Sequence, residues 1–403
     1  MFLSELVALS ALFSFVLGSH PKISLRAKSK SEKVARRDVN GAGNVTLANY
    51  FNGTDLQWYG AIGVGTPPQN LTVVFDSAST DLLIPSVACS PSNGCPSEGI
   101  EGPLHKFNQN SSSTFHTQNK GFYAPFGTGI GVAPSDFESQ TGIIATDTVC
   151  VSGLCAKNQT MGLVMNETAG FANDPFDGIL GLAFPALGVT GNGSFFNSLV
   201  QAKAVAEALY GFYLTPNVVG GAELTLGGID ESKIESNITY AKVAPPFWNV
   251  TFDDLTVNGV SVNLTYKQAL FDTGTSNVVG GDISQLQEIY GIISPKIKLI
   301  DKNGAFGMPC SEIQEIVEAN VKFTISGKTF MIPTPELFVG EYPSLPGVCQ
   351  AFWNADVTNS YGGAFIVGAS LLKYYYSVWD FGNSRFGLAD TDISPPRVSD
   401  ADQ

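Results

Sequence analysis

Charged residues, and basic residues above all, are scarce in this sequence. Only 14% of the 403 residues are Asp, Glu, Lys or Arg, and 22 basic residues stand against 36 acidic ones, a formal net charge of −14. Because nucleic-acid binding needs a basic face, this balance argues against a nucleic-acid partner. The hydrophobic share of 44% is large enough for a sizeable core and argues against a disordered chain.

Histidine is also rare: the sequence contains only three, His20, His105 and His116. The sequence contains no His-Glu-x-x-His motif, which excludes zinc proteolysis of that kind, and no Gly-x-Ser-x-Gly motif, which disfavours an α/β-hydrolase. Residues 127–131 (GTGIG) look superficially like a phosphate loop, but the lysine and a following helix are missing. We therefore expect neither a metal nor another cofactor.

The first 37 residues differ in character from the rest. Residues 1–18 are apolar apart from Glu5 and too short to span a membrane, so they predict a secretory signal peptide, although its basic start is missing. Residues 19–37 hold seven of the 22 basic residues and end at Arg36-Arg37. We interpret them as a short propeptide whose cations dock on an acidic cleft; the alternative is a solvated tail. The polar C-terminus shows no anchor signal.

Ten Asn-x-Ser/Thr sequons predict a glycosylated, exported protein. Its destination is the outside of the cell or, alternatively, an acidic vacuole. Export also makes disulfides the natural state of the six cysteines. The predicted acceptors are Asn44, Asn52, Asn70, Asn110, Asn158, Asn166, Asn192, Asn237, Asn249 and Asn263.

One motif occurs twice, 196 positions apart. Residues 75–80 (FDSAST) and 271–276 (FDTGTS) each follow an apolar strand pattern, and each is echoed later by two apolar residues and a glycine, at 177–181 (DGILG) and 365–368 (FIVG). Such a repeat predicts two lobes of similar build, each presenting one aspartate on a tight turn. We place the lobes at residues 45–215 and 216–395. Elsewhere, short strands divided by Gly, Pro and Asn dominate, with helical patterns only over 195–209 and 311–319.

The doubled motif resembles the pepsin-like aspartic proteases. The likeness runs from about Tyr59 to Asp390 and includes residues 59–69 (YGAIGVGTPPQ), 176–183 (FDGILGLA) and 386–389 (FGLA). It implies an all-β fold with a few short helices, in which two pseudo-symmetric β-barrel-like lobes flank a central cleft. It also implies a monomeric endopeptidase that cleaves extended polypeptides in acid, between apolar residues.

The resemblance makes Asp76 and Asp272 the catalytic pair. Two carboxyl groups that face each other cannot both ionise, so they share one proton, as is established for this class of enzyme. The carboxylate then activates a water molecule as general base, and its protonated partner polarises the scissile carbonyl. By the same resemblance, Ser77 and Thr273 hydrogen-bond into the opposite lobe. Ser79 and Thr275 hydrogen-bond the outer carboxylate oxygens, and Gly274 belongs to the second loop.

A flap is predicted over residues 112–129, which match the family segment whose hairpin closes on substrate. Its substrate-binding residues would be Phe126, Gly127, Thr128 and Gly129, the last two through backbone groups. An extension of roughly nine residues, 131–139, follows the usual flap.

Several positions depart from the family pattern. Ala78 replaces a glycine, Phe126 the flap tyrosine and Leu83 the tryptophan that hydrogen-bonds this tyrosine, while Ala369 replaces a commonly acidic residue. Since both partners of the lost hydrogen bond are absent, no buried donor is left unpaired. We expect closure by apolar packing, and slower turnover or an altered pH optimum. The alternative is a catalytically weak or silent relative that acts as a binding or inhibitor protein.

The cysteines also fit the family. By resemblance and proximity, Cys89 pairs with Cys95 and Cys310 with Cys349, while Cys150 and Cys155 could close a hairpin.

Overall fold

A computed structural model describes residues 41–52, 55–127, 138–216, 218–264, 266–316, 319–332, 334–357, 359 and 362–395. The predicted signal peptide and propeptide, together with Thr128 and Gly129 of the flap, lie outside the described residues. Over the described part of the chain, no helix is both long and apolar enough to cross a membrane.

The fold is mostly β, as predicted, because short apolar runs are repeatedly cut by turn residues. In the first half the strands are β1 Gly43–Thr46, β2 Ala48–Asn52, β3 Asp55–Val64, β4 Gln69–Asp76, β5 Leu82–Pro85, β6 Glu98–Gly99, β7 Gly102–Pro103, β8 His116–Phe126, β9 Glu138–Val151, β10 Leu154–Glu167, β11 Gly178–Gly181 and β12 Leu209–Tyr213.

The second half is also built mainly from short strands. Its strands are β13 Glu223–Leu226, β14 Thr239–Lys242, β15 Asn249–Thr251, β16 Asp254–Val257, β17 Val260–Ser261, β18 Gln268–Phe271, β19 Val278–Val279, β20 Lys298–Leu299, β21 Phe306–Pro309, β22 Val321–Ile325, β23 Lys328–Ile332, β24 Phe338–Glu341, β25 Val348–Ala351, β26 Trp353–Asn354, β27 Phe365–Val367, β28 Tyr375–Asp380 and β29 Arg385–Asp390. The short α-helices are α1 Phe195–Gln201, α2 Ile283–Ile293 and α3 Ala369–Leu372.

Three sheets organise the two lobes. An eight-stranded sheet in the first half has the order β2-β3-β4-β11-β5-β10-β9-β8, and a five-stranded sheet in the second half has the order β15-β18-β27-β19-β26. A six-stranded sheet, β1-β13-β12-β28-β29-β14, takes strands from both halves. The lobe boundary that we place between residues 215 and 216 therefore divides this shared sheet.

The doubled motif folds the same way in both lobes. β4 pairs in parallel with β11, and β18 pairs in parallel with β27, so each aspartate turn leaves a strand that its glycine-ended echo flanks. The echo glycines pack directly on the turns: a Cβ at Gly181 would collide with the backbone of Thr80, and one at Gly368 with that of Thr275. The close approach of the two backbones explains why each echo ends in glycine.

Aromatic rings join the halves close to the first aspartate turn. The ring of Trp248 from the second half is tilted against that of Phe184 from the first at 4.6 Å, and Trp379 stacks on Tyr210 at 5.9 Å, centroid to centroid. The Tyr210 hydroxyl donates to the carbonyl of Leu182 at 3.0 Å, in the residue that follows β11. Burial of such large rings contributes much of the stability of this junction.

Candidate active site

Asp76 and Asp272 come together at the floor of one cleft. Their side chains line the same cavity, and the residues are only 9% and 6% exposed. The Cα of Gly274 lies beside both carboxyl groups: a Cβ built there would be 2.8 Å from Asp76 Oδ1 and 3.3 Å from Asp272 Oδ1. Glycine at this position therefore lets two buried acids share one small volume.

Reciprocal hydrogen bonds between the loops fix this approach. The Ser77 N–H donates to Thr273 Oγ1 at 3.1 Å, and the Thr273 N–H donates to Ser77 Oγ at 3.0 Å. The Thr273 hydroxyl in turn donates to the carbonyl of Phe75 at 2.6 Å, and the Ser77 hydroxyl to that of Phe271 at 3.4 Å. Each predicted hydroxyl thus reaches into the opposite loop.

Each loop donates a backbone hydrogen bond to its own carboxylate, but only the second loop adds a hydroxyl. The N–H of Ala78 donates to Asp76 Oδ1 and the N–H of Gly274 to Asp272 Oδ1, both at 2.8 Å. The Thr275 hydroxyl donates to Asp272 Oδ2 at 2.5 Å.

The expected counterpart, Ser79, does not make this contact: its Oγ is buried with no hydrogen-bond partner. The expectation for Ser79 was therefore wrong. Serine lacks the branched Cβ that restricts threonine to few rotamers, so its hydroxyl is not forced toward the carboxylate.

Burial and the neighbouring charge act on the pair. Burial raises the pKa of Asp272 well above its ordinary value, and the negative charge of Asp76 raises it further, while the hydrogen bonds from Thr275 and Gly274 oppose the rise. Burial and mutual repulsion therefore favour a state in which the pair retains a proton. This is the charge state that a two-carboxylate site needs.

Apolar contacts replace a hydrogen bond at the base of the flap. Phe126 ends β8, and its ring meets that of Phe171 edge to face at a centroid distance of 5.8 Å. Leu83 of β5, which is 1% exposed, packs in one cluster with Phe122 and Ala124 of β8. The contacts at the base of the flap are thus apolar, and closure of the flap on substrate stays a prediction. Gly127 is exposed and lines the cavity.

Two cavities flank the carboxyl pair and share part of their walls. The larger, of about 590 Å³, includes the apolar side chains of Leu187, Val189, Phe247, Leu270 and Ile366. The second, of about 310 Å³, lies along Gln57, Val74, Glu138, Phe171, Asp174 and Phe176. Asp76, Phe126, Gly127, Gly274 and Thr275 line both. Together they form a cleft with room for several residues of a peptide.

The predicted disulfides are present. Cys89 bonds to Cys95, Cys150 to Cys155 and Cys310 to Cys349. The first closes a loop after the first aspartate turn, and the second joins β9 to β10 at their hairpin.

Most predicted glycan acceptors stand on the surface. The exposed ones are Asn44, Asn70, Asn110, Asn158, Asn166, Asn192, Asn237 and Asn263, whereas the side chain of Asn52 lies outside the described residues. Asn249 differs, because it is half-buried in the cavity wall and its Nδ2 donates to Gln268 Oε1 at 2.8 Å. A glycan there would need the space of the cleft, so we expect none.

Asp81, Glu138 and Phe171 were not among the predicted site residues. Asp81 follows the first motif and accepts hydrogen bonds from the N–H groups of Val189 and Thr190 at 2.8 and 3.0 Å, which shapes one wall of the larger cavity. Its place directly after the motif was the available signal. Glu138 and Phe171 carry no local signal, since their role comes from packing across the flap.

Two acidic side chains on duplicated loops, locked together by their neighbouring hydroxyls beneath a hairpin, define the aspartic protease class. The family model described as eukaryotic aspartyl protease matches residues 57–391, and the chain belongs to this family. Its members named below are aspartic endopeptidases, hydrolases of peptide bonds, and the chain is pepsin-like in fold.

Curated relatives agree with this assignment. Pepsin A of Rhinolophus ferrumequinum is 35% identical over 346 residues, which cover 85% of this chain and 82% of the relative. Pepsin A of Bos taurus is 33% identical over 349 residues, or 85% and 86% of the two chains. Cathepsin E of Aquarana catesbeiana is 33% identical over 351 residues, or 85% and 81%.

Proposed function

We propose that this chain is a catalytically competent endopeptidase in which Asp76 and Asp272 activate a water molecule for attack on a peptide bond. The observation that carries the proposal is the shared, buried position of the two carboxyl groups, held by the reciprocal hydrogen bonds of Ser77 and Thr273. Positioning of this kind is what acid–base catalysis needs.

One proton shared between the two acids divides the roles of acid and base between them. Asp272, whose pKa is raised by burial and by Asp76, enters the cycle protonated and donates a hydrogen bond to the scissile carbonyl oxygen. Asp76 enters ionised and accepts a proton from the attacking water. As the carbon becomes tetrahedral, the proton of Asp272 moves to the carbonyl oxygen. The nitrogen then takes from Asp76 the proton that came from the water and leaves as the C–N bond breaks, while one hydroxyl proton of the tetrahedral carbon returns to Asp272. The products are an amine and a carboxylic acid, and the pair again holds one shared proton.

Apolar side chains on both sides of the scissile bond are the proposed preference. The larger cavity offers Leu187, Val189 and Phe247, and Val189 and Phe247 stay exposed to an incoming peptide. The second cavity offers Phe171 and Phe176 beside polar groups. Such surfaces gain free energy chiefly by burying apolar side chains.

Acid conditions and export complete the proposal. Without residues 1–37, 34 acidic residues stand against 15 basic ones, so protonation of carboxylates at low pH reduces self-repulsion. The apolar start and the dibasic Arg36-Arg37 support a secreted precursor with a short propeptide, with an acidic vacuole as the other destination.

The test uses the secreted product of the full-length chain. It is incubated with denatured globin at pH ~3–5, with and without a statine-type inhibitor, beside Asp272→Asn. Sequencing of the new termini in globin and in a peptide library reads out specificity. The proposal predicts inhibitor-sensitive cleavage between apolar residues, lost in the variant. A folded wild-type protein that binds the inhibitor and cuts nothing would instead establish a silent binding protein.

A further inference from the structure

Phe126 and Glu138 are directly opposite each other where the two strands of the flap hairpin, β8 and β9, last pair. Both side chains turn to one segment of the chain, Thr168 together with the 3₁₀ turn Ala169–Asn173 that follows β10. We call the group formed by Phe126, Glu138, Thr168, Gly170 and Phe171 the flap clasp. Its parts come from three separate stretches of sequence.

The polar half of the flap clasp is centred on the Glu138 carboxylate. Its Oε2 accepts a hydrogen bond from the Thr168 hydroxyl and another from the Gly170 N–H at 3.2 Å. The backbone adds two more, because the Ser139 N–H donates to Thr168 Oγ1 at 2.9 Å and the Thr168 N–H to the Ser139 carbonyl at 3.0 Å. One end of the flap is therefore tied to this segment both by the side chain of Glu138 and by the backbone of Ser139.

Gly170 makes room for the carboxylate. A Cβ at this position would collide with Glu138 Oε1 and with the carbon that bears it. Any side chain larger than hydrogen would push the carboxylate away from its donors. This close approach gives an independent way to disturb the contact without touching Glu138.

The apolar half of the flap clasp is the edge-to-face pair of Phe126 and Phe171. Both rings pack on the buried cluster of Val74, Phe176 and Ile179, one layer above the strand that ends at Asp76. Aromatic pairs of this geometry add stability beyond that of the area that they bury. The turn that Glu138 holds is thus the same turn that carries the ring against Phe126.

We propose that Glu138 is a positioning residue: as a hydrogen-bond acceptor it holds the 168–173 segment so that Phe171 fixes Phe126, and with it the base of the flap, over the carboxyl pair. Phe126, Glu138, Gly170 and Phe171 all line the second cavity. A large apolar substrate side chain in this cavity contacts the flap clasp and binds more tightly when Phe126 is held in place. This substrate part rests on the proposed function; the positioning of the flap does not.

The experiment compares Glu138→Ala with Glu138→Gln, which keeps an acceptor oxygen and removes the charge. Hydrogen exchange of the β8 amides is followed in the full chain without substrate. Loss of the two side-chain hydrogen bonds predicts roughly tenfold faster exchange near Phe126 in Glu138→Ala, and a rate within about twofold of wild type in Glu138→Gln. Gly170→Ala is expected to match Glu138→Ala, and the two changes together to add little, since they break one contact.

The matched control is Asp254→Ala in the β16–β17 hairpin, where Asp254 Oδ1 accepts a hydrogen bond from Ser261 at 2.7 Å. It should leave exchange in β8 unchanged. Wild-type exchange in Glu138→Ala, an equal defect in Glu138→Gln, or a β8 defect in the control would each overturn the proposal.

A second readout uses two peptides that differ only in Phe or Ala beside the scissile bond. Glu138→Ala should raise KM for the Phe peptide roughly fivefold and leave KM for the Ala peptide nearly unchanged, because only the larger side chain reaches the flap clasp. Equal changes for both peptides would overturn the substrate part. If the wild type cleaves neither peptide, the proposed function fails, whereas the exchange experiment still decides the role of Glu138.

Discussion

Ser77 and Thr273 each donate a backbone N–H to the other's side-chain oxygen, at 3.1 and 3.0 Å, across the junction of the two lobes. The two residues are 196 positions apart in the sequence, and both are buried. The geometry of the carboxyl pair depends on these two hydrogen bonds.

Thr273→Val should therefore cost both stability and activity. The change leaves the Ser77 N–H and the Phe75 carbonyl buried without partners, which predicts a loss of about 2–4 kcal/mol in the free energy of unfolding. Urea unfolding measures this loss, and Thr273→Ser, which keeps the hydroxyl, serves as the control. A Thr273→Val protein as stable as wild type would show that the reciprocal bonds do not hold the loops.

Thr275 and Ser79 should affect the pH profile unequally. Thr275 hydrogen-bonds Asp272 and opposes the rise of its pKa, whereas the Ser79 hydroxyl has no partner. Thr275→Val then raises the pKa of Asp272 and moves the alkaline limb of kcat/KM to higher pH. Ser79→Ala should leave this limb in place. An equal displacement in both variants would contradict the asymmetry.

Glu167 makes the fold less stable as pH rises. Burial raises its pKa from 4.5 to about 7, although the hydrogen bond from Gln140 and the charge of Lys106 oppose the rise. The folded protein thus binds more protons than the unfolded chain between these pH values, so the stability present below pH 4.5 falls as pH increases to about 7. The full effect is at most about 3 kcal/mol.

Glu167→Gln tests this directly, since it keeps an acceptor for Gln140 and cannot ionise. Thermal unfolding should show the variant to be more stable than wild type at pH ~7, where Glu167 ionises, and nearly equal to it at pH ~4, where Glu167 is protonated in both the folded and the unfolded protein. A difference of the same size at both pH values would point to packing instead of ionisation.

Asn249 should carry no glycan, despite its sequon, because its amide is held by Gln268 in the cleft wall. Mass spectrometry of glycopeptides from the secreted protein provides the measurement, with the exposed Asn237 of the same half as the internal comparison. Occupancy at Asn249 would mean either a different local structure or a blocked cleft.

The carboxyl pair and its lobes followed from the sequence because their signals are local. Asp76 and Asp272 sit in strand–turn motifs whose residues lie within a few positions of each other. Each motif is repeated in the same order with its own later echo, which ends at Gly181 in the first lobe and at Gly368 in the second. The helix α2 carried a readable pattern as well, with Leu286, Ile289 and Tyr290 buried on one face, yet it was not predicted.

Features that depend on distant contacts could not be derived in this way. In the six-stranded sheet β12 pairs with β28, and the two strands are separated in the sequence by almost the length of a lobe. No local pattern predicts such a partner. The free hydroxyl of Ser79 depends on a rotamer, and the place of Asn249 in the cleft wall depends on the neighbouring lobe. The helical pattern over 195–209 was too long, since α1 ends at Gln201 and Lys203 adopts a positive φ of 54°.

The most direct test of the two-carboxylate mechanism is kcat/KM, in acid, of wild type, Asp76→Asn, Asp272→Asn and the double variant, each checked for folding by its melting temperature. Because the two acids act as one unit on one water, each single variant should lose at least about a thousandfold, and the double variant should lose no more. A folded single variant that keeps more than about a tenth of wild-type activity would contradict the mechanism.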